Sequence, residues 1–284
     1  MKTRVLSAVA LLPILLVIVL VLPAWATATL FAAAGAVAAY ELLYRTGLVK
    51  NRRLVIYAMV MAVLVAFWSL RQDVNLAAIG LLAYLCLLLG EMLLAHAKLR
   101  FEKICLCMAA GVLLPYLLCA LVRIRAMYAG MDPAQNTLGK YYILIAFIIS
   151  FSADSGAYFV GRALGKHKLA PVISPNKTVE GALGGVASAV VLMLLYGLIL
   201  DKSFGFDVIY WYGIIYGVLG ALISMLGDLS FSVIKRQVNI KDYGNLIPGH
   251  GGVLDRFDSM MLVAPLVELL LRMLTFAVPM AGVG

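Results

Sequence analysis

Long apolar runs recur from one end of this 284-residue chain to the other. An α-helix needs about 20 mostly apolar residues to cross a bilayer. Hydrophobic residues make up 64% of the chain and charged residues 13%, whereas a soluble domain has about 45–50% and about 25%. The excess is too large for one buried core, so lipid must surround most of the chain. The pattern predicts an all-α, polytopic integral membrane protein with about nine transmembrane helices, at residues 5–24, 27–43, 54–70, 74–95, 104–122, 141–160, 181–200, 208–227 and 259–279.

Basic residues fall unevenly on the two sides of these predicted spans. With the N-terminus in the cytoplasm, 17 of the 23 lysines and arginines lie in inner segments and five in outer ones. Because cytoplasmic loops carry an excess of Lys and Arg, we expect a cytoplasmic N-terminus, with segments 161–180 and 230–258 also in the cytoplasm. The net charge of +9 then reflects topology and attraction to anionic headgroups, and it requires no nucleic acid partner.

Polar residues divide the chain into two regions. Residues 1–140 are predicted to form N-terminal transmembrane helices with connecting loops, and residues 141–284 a C-terminal catalytic region with cytoplasmic active-site loops. In the first region, Glu41 and Glu91 lie near the predicted cytoplasmic ends of their spans. A charge inside a membrane is a functional candidate, although both lie close enough to the interface to reach water. In the second region, Thr178 is placed to cap the helix that follows it.

The window 228–258 concentrates groups suited to phosphate chemistry. Asp228, Ser232 and Lys235 are spaced so that they share one helical face. Three glycines within 249–252 let backbone N–H groups approach an anion, and the helix that follows adds its positive dipole end. Cations for phosphate oxygens are supplied by Lys235, Arg236, Lys241 and Arg256. Hard oxygen ligands for Mg²⁺ are supplied by Asp228 and Asp255.

Other nucleotide-binding patterns are missing from the sequence. The chain has neither a Walker A motif nor a Rossmann glycine motif after a strand. Taken singly, the charged residues of the window have ordinary explanations: inner lysines follow topology, and an aspartate at a helix end is commonly a cap. Their number beside lipid, where idle charges are costly, instead indicates phosphoryl or nucleotidyl transfer at the inner face of the membrane.

Two blocks of sequence carry a resemblance to a known family. The longer block contains Ser232-x-x-Lys235-Arg236, Lys241-Asp242-x-Gly244 and Leu246-x-Pro248-Gly-His-Gly-Gly252-x-x-Asp255-Arg256-x-Asp258. The other contains Asp154-Ser-Gly-Ala-Tyr-Phe-Val-Gly-Arg162, Gly165-Lys-His-Lys-Leu169 and Ile173-Ser-Pro-Asn-Lys-Thr-Val-Glu-Gly181. Together they cover most of residues 150–260, and they are similar to the phosphatidate cytidylyltransferases, the CDP-diacylglycerol synthases.

The resemblance implies a reaction, its cofactors and its site residues. CTP and phosphatidate would give CDP-diacylglycerol and diphosphate at the inner leaflet of a bacterial inner (plasma) membrane, with Mg²⁺ required. A homodimer and a second, monovalent cation such as K⁺ are also implied. Asp228 and Asp255 are expected to bind the metal, supported by Asp258 and Ser232. The other expected site residues are Lys235, Arg236, Lys241 and Arg256 on phosphates, His250, Gly251 and Gly252 around them, and Asp154, Ser174, Asn176 and Lys177 on the CTP side.

Two other functions stay open. A CTP-dependent polyprenol or phytol kinase would transfer the γ-phosphate instead of the cytidylyl group. An ion-coupled transporter belongs to a different class; it would use the intramembrane charges as a path and predicts an inverted repeat.

Overall fold

The computed structural model describes residues 12–97, 99–128, 133–246, 249 and 251–279, and these are mostly helical. Residues 12–20 form a helix. The helices that follow are α1 (Ala24–Tyr40), α2 (Arg52–Arg71), α3 (Val74–Leu94), α4 (Phe101–Met108), α5 (Leu114–Leu118), α6 (Ala120–Ala126), α7 (Pro133–Leu164), α8 (Val179–Phe204), α9 (Tyr210–Gln237), α10 (Leu254–Phe257) and α11 (Met260–Met273).

Short non-α elements join these helices. A π-helical segment, Glu41–Arg45, continues α1, and a second one, Ala109–Leu113, lies between α4 and α5. Four short strands pair as two antiparallel ribbons, the first against the second and the third against the fourth. The strands are β1 (Lys168–Ala170), β2 (Ser174–Thr178), β3 (Phe206–Val208) and β4 (Ala277–Pro279).

Seven helical segments of the described residues are long and apolar enough to cross a membrane. The predicted all-α, polytopic membrane fold is therefore confirmed, and each of these segments overlaps one of the predicted runs between 27 and 227. The predicted run 5–24 begins outside the described residues, and the cytoplasmic N-terminus stays a prediction. The seven segments are Ala24–Arg45, Arg52–Arg71, Val74–Leu94, Phe101–Ala126, Thr137–Leu164, Val179–Phe204 and Tyr210–Gln237.

The last predicted run, 259–279, is not one continuous helix. Helix α11 has 14 residues and, at 1.5 Å per residue, is about 21 Å long, shorter than the roughly 30 Å hydrocarbon core. The chain then leaves the helical conformation and pairs as β4 with β3. An apolar run indicates that a segment is surrounded by lipid or protein rather than water, but it does not determine where the helix within the run ends.

The chain forms two compact units that interleave in sequence. The first consists of Met1–Ala126 and Gln237–Phe257, and the second of Met127–Arg236 and Asp258–Gly284. In the first unit α1 packs along α2, and the largest buried side chains include Phe31, Leu43 and Leu54. The predicted regions 1–140 and 141–284 were defined by where chemistry was expected, and that division stays a prediction.

In the second unit, small residues let helices approach closely. A Cβ placed on Gly184 of α8 would collide with the side chain of Val160 on α7, and one placed on Gly217 of α9 would lie 2.7 Å from the Cα of Val190 on α8. Such contacts are typical of membrane helices, where close backbone packing replaces the hydrophobic effect. The result is a close packing of α7, α8 and α9.

Candidate active site

In the second unit, the carboxylate of Asp228 on α9 forms an ion pair with Lys177 at the end of β2. Lys177 Nζ lies 2.5 Å from Asp228 Oδ2, and the two side chains are 25% and 28% exposed. Ser232 Oγ donates to the other oxygen, Asp228 Oδ1, at 3.4 Å, as their spacing of four predicts. A carboxylate with a cation on one side and partial access to solvent is therefore present where the sequence predicts metal chemistry.

The ribbon that carries Lys177 is held at the end where β1 begins and β2 ends. The carboxylate of Glu180 accepts the backbone N–H groups of Lys166 at 3.0 Å and His167 at 3.2 Å, and it contacts His167 Nδ1 at 2.5 Å. Thr178 Oγ1 accepts the N–H of Gly181 at 3.1 Å, which confirms the predicted cap of α8. These contacts join the end of β2 that carries Lys177 to the first turn of α8 and to the start of β1.

A cavity of about 230 Å³ opens beside this ion pair. Its charged and amide groups come from Asp154 on α7, from Asn176 and Lys177 on β2, and from Asp228, and Tyr158 and Thr178 add hydroxyl groups. The remainder of the lining is mostly apolar or small and includes Ala153, Ala157, Leu169, Gly185, Val186, Ala221 and Met225. The cavity therefore has charged groups at part of its wall and apolar helix faces elsewhere, an arrangement that suits an amphiphilic molecule.

A second pair in this unit joins Lys235 to Asp258. Lys235 Nζ lies 3.8 Å from Asp258 Oδ2, and both side chains are 13% exposed. Asp258 Oδ1 also accepts the N–H of Ser259 at 2.8 Å. Gly227 lets α9 lie close to the backbone of Asp258, because a Cβ at residue 227 would lie 2.9 Å from the carbonyl oxygen of Asp258. Arg236 Nε donates to the carbonyl of Ile173 at 3.4 Å, just before β2.

In the first unit, a buried carboxylate organises the glycine-rich block. Asp255 is 7% exposed, and its Oδ2 accepts the N–H groups of Tyr243 at 2.8 Å and Gly252 at 3.0 Å. Gly251 has a φ of +86°, in the left-handed region that favours glycine. The Gly252 N–H, which the sequence predicts to face a substrate anion, thus donates to a side chain of the protein, because a buried carboxylate lies three residues further on.

Sequence reasoning named Glu41, the other buried carboxylate among the described residues of this unit, only as a functional candidate and gave it no specific role. Glu41 is 2% exposed. Its Oε1 accepts the N–H of Val253 at 3.0 Å, and its Oε2 accepts the N–H of Leu254 at 2.8 Å. The available signal was an ionisable residue within an apolar run; nearness to the predicted interface argued against it. The structure places Glu41 in contact with the block that carries the family resemblance.

The remaining predicted residues have simpler surroundings. Lys241 and Arg256 are exposed in the first unit, and Ser174 begins β2 in the second. His250 and Pro248 lie outside the described residues. Asp228 and Asp255 belong to different units, so their shared metal site stays a prediction. Among the described residues, no three acidic, histidine or cysteine side chains cluster closely enough to hold a metal ion together.

Fold and site together define a class: a polytopic membrane protein with carboxylates, cations and a glycine-rich block near the ends of its helices. A model of the cytidylyltransferase family matches residues 2–274. The chain belongs to this family, as its sequence resemblance predicted.

Curated relatives are bacterial proteins named phosphatidate cytidylyltransferase. The protein of Staphylococcus saprophyticus is 47% identical over 133 residues, which cover 47% of this chain and 50% of the relative. The protein of Bacillus subtilis is 46% identical over 135 residues, or 48% and 49% of the two chains. That of Staphylococcus aureus is 46% identical over 133 residues, or 47% and 50%. The matched part thus spans about half the length of each relative.

Proposed function

We propose that this chain is a phosphatidate cytidylyltransferase of the bacterial inner (plasma) membrane. It would use CTP and phosphatidate to make CDP-diacylglycerol and diphosphate for phospholipid synthesis. The observation that carries the proposal is the cavity of the second unit, where Asp154, Asn176, Lys177 and Asp228 share one lining with apolar helix faces. Membership in the cytidylyltransferase family and the names of the bacterial relatives support the same reaction.

The chemistry requires little proton transfer. A phosphate oxygen of phosphatidate attacks the α-phosphorus of CTP, a new P–O bond forms, and the bond from that phosphorus to the bridging oxygen breaks as diphosphate leaves. The attacking oxygen is already anionic at neutral pH, so a strong general base is unnecessary. The protein must align the two substrates and offset the repulsion between their phosphates, which is catalysis by positioning and electrostatic preorganisation.

The cations of the chain suit this task. Lys177 lines the cavity beside Asp228, so its ammonium group can reach a phosphate that enters there. We assign phosphate contacts also to Lys235, Arg236, Lys241 and Arg256, and nucleotide contacts to Asp154, Ser174 and Asn176. His250, Gly251 and Gly252 are proposed to shape the surroundings of the phosphates.

We further propose that the reaction depends on Mg²⁺, with Asp228 and Asp255 as its protein ligands and a second, monovalent cation such as K⁺ nearby. The donor type suits the ion, because the partly exposed carboxylate of Asp228 offers hard oxygen atoms, and Mg²⁺ is commonly held by one or two carboxylates together with substrate phosphates and water. When bound, Mg²⁺ neutralises charge that develops on the phosphates. Chelation with EDTA should abolish turnover, and added Mg²⁺ should restore it.

Topology and assembly complete the proposal. A cytoplasmic N-terminus would put residues 161–180 and 230–258 on the side where CTP is available, while phosphatidate would enter sideways from the inner leaflet. We also propose a homodimer. A cysteine introduced at Lys241 should react with a membrane-impermeant maleimide only from the cytoplasmic side, and the mass of the purified protein by light scattering, corrected for detergent, should be twice that of the chain.

The deciding experiment follows labelled CTP into lipid. Purified protein in detergent is given phosphatidate, Mg²⁺ and CTP labelled at the α-phosphate. Label in the lipid product is expected, and label that remains in CDP or CTP would overturn the proposal. CTP labelled at the γ-phosphate distinguishes a kinase from a cytidylyltransferase. A kinase would transfer label to lipid from the γ-phosphate and not from the α-phosphate. A transporter predicts no labelled lipid in either case, but substrate flux into proteoliposomes that Asp255→Asn leaves unchanged.

A further inference from the structure

Glu41 lies at the end of the first span of the described residues, in the π-helical segment that continues α1. Its carboxylate contacts the segment Gly251–Asp255, named here the GGVLD segment. We propose that Glu41 is a positioning residue, which fixes the GGVLD segment so that Asp255 and Arg256 are held ready for the reaction. The role in catalysis rests on the proposed function, whereas the contact itself does not.

The hydrogen bonds are bidentate. Each carboxylate oxygen of Glu41 accepts one N–H, from Val253 at 3.0 Å and from Leu254 at 2.8 Å. A carboxylate accepts through both oxygens, whereas a glutamine side chain accepts through one oxygen and donates from its nitrogen. Hydrogen bonds to a charged acceptor are also roughly twice as strong as neutral ones. The arrangement therefore requires glutamate, and glutamine would set an NH₂ group against a backbone N–H.

The backbone of the block is packed against the same carboxylate. A Cβ placed on Gly252 would lie 2.5 Å from Glu41 Oε2, and one placed on Gly244 would lie 2.8 Å from the carboxyl carbon of Glu41. Gly252 also donates its N–H to Asp255 Oδ2. Three consecutive N–H groups, at 252, 253 and 254, are thus accepted by the carboxylates of Asp255 and Glu41. These glycines let the backbone lie directly on Glu41.

The helix that carries Glu41 contacts the block on both sides. Arg45, on the same π-helical segment, donates to Asn245 Oδ1 at 3.2 Å. Phe31 on α1 meets Phe257 edge to face, with ring centroids 6.0 Å apart. A buried carboxylate in a membrane helix is costly unless it is paired, and within the described part of the chain the Glu41 carboxylate accepts its two hydrogen bonds from the GGVLD segment. Its location is therefore explained by this segment rather than by the packing of α1.

The test compares Glu41→Gln with Glu91→Gln. Glu91 lies near the end of α3, where it contacts Tyr57 at 3.3 Å and Arg53 at 3.6 Å, so it offers the same substitution away from the block. Hydrogen–deuterium exchange is measured on both purified variants. In Glu41→Gln the amides of the peptide that contains Val253 and Leu254 should exchange roughly tenfold faster or more, with α2 unchanged. Unchanged exchange in that peptide, or faster exchange throughout the first unit, would overturn the proposal.

Kinetics separate positioning from substrate binding. In Glu41→Gln, kcat for cytidylyl transfer should fall roughly tenfold or more, because the reacting groups are misplaced, while the KM for CTP changes less than about threefold. Glu91→Gln should keep the wild-type kcat. A kcat within about twofold of wild type in Glu41→Gln refutes positioning. Failure of the wild-type protein to transfer the cytidylyl group would instead refute the proposed function, and the exchange experiment would still decide the contact.

A second variant reaches the same contact from the other side. Gly252→Ala puts a methyl group against the Glu41 carboxylate, so it should accelerate exchange in the same peptide. Because both changes break one contact, their effects on kcat should not add in the double variant. Fully additive losses would show that the two residues act separately. Gly90→Ala is the glycine control, since a Cβ there has no neighbour within 4 Å.

Discussion

The ion pair between Lys177 and Asp228 allows stability and catalysis to be separated within one pair of residues. At 2.5 Å the direct attraction is about 2 kcal/mol in bulk water and roughly 7 kcal/mol at an effective dielectric constant of 20. Desolvation and ordering cancel most of this, and partly exposed pairs usually contribute about 0–1 kcal/mol. With side chains 25% and 28% exposed, we expect the pair to contribute no more than about 1 kcal/mol to the free energy of unfolding.

The expected loss of activity is much larger. If Asp228 holds the catalytic metal and Lys177 a substrate phosphate, removing either group from the transition state should cost about 3–4 kcal/mol, or roughly 100- to 1,000-fold in kcat/KM. The variants are Asp228→Asn, Lys177→Met and the double variant, and the matched control is Asp201→Asn. Asp201 pairs with Lys202 at 3.2 Å near the opposite end of α8 and should be dispensable.

The assay combines thermal unfolding in detergent with CDP-diacylglycerol formation at several Mg²⁺ concentrations. Each single variant should unfold within a few degrees of wild type and yet be almost inactive. Activity of Asp228→Asn within about threefold of wild type would refute the assignment of this carboxylate to the reaction. A stability loss large enough to unfold the protein at the assay temperature would instead mean that the pair is structural.

Two further predictions concern stability. Thr178→Ala removes the hydroxyl that accepts the Gly181 N–H and should lower the free energy of unfolding by about 1 kcal/mol. Thermal unfolding checks this, with Thr29→Ala as the control, because Thr29 is exposed and its hydroxyl donates to a carbonyl of its own helix. Equal effects of the two substitutions would count against the cap. Gly217→Ala places a methyl group 2.7 Å from the Cα of Val190 and should lower the free energy of unfolding by about 1–3 kcal/mol through overpacking. The control substitution Gly90→Ala should be neutral or stabilising. Equal melting temperatures of the two variants would contradict the packing of α8 on α9.

Much of the fold was predictable because its main determinants are local. Apolar length predicted about nine spans, and seven of the predicted runs overlap described helical segments long enough to cross a bilayer, since a bilayer imposes a minimum length on each helix. The cap at Thr178 and the hydrogen bond from Ser232 to Asp228 were also predictable, because both depend on residues three or four positions apart. The end of α11 was not, since the pairing of Phe206–Val208 with Ala277–Pro279 depends on residues about 70 positions away.

The pairing of charged groups was less predictable than their presence. The sequence identified Lys177, Asp228, Lys235 and Asp258 as site residues, but it gave no reason to join Lys177 to Asp228 or Lys235 to Asp258. These contacts arise because Gly227 lets α9 lie close to residue 258 and because the ribbon brings β2 toward the end of α9. Helical periodicity gives neighbours along one element, and the partners here lie on different elements.

The glycine-rich block shows how an unseen carboxylate can change the interpretation of a motif. Closely spaced glycines before a helix predict backbone N–H groups available to an anion. Here the N–H groups of residues 252–254 are accepted by Asp255 and by Glu41, more than 200 positions earlier in the chain. Substrate phosphates must then be met mainly by side-chain cations rather than by these amides. The glycines instead let the backbone lie against the buried carboxylate of Glu41, so a residue of the first predicted region contacts the block that carries the family resemblance.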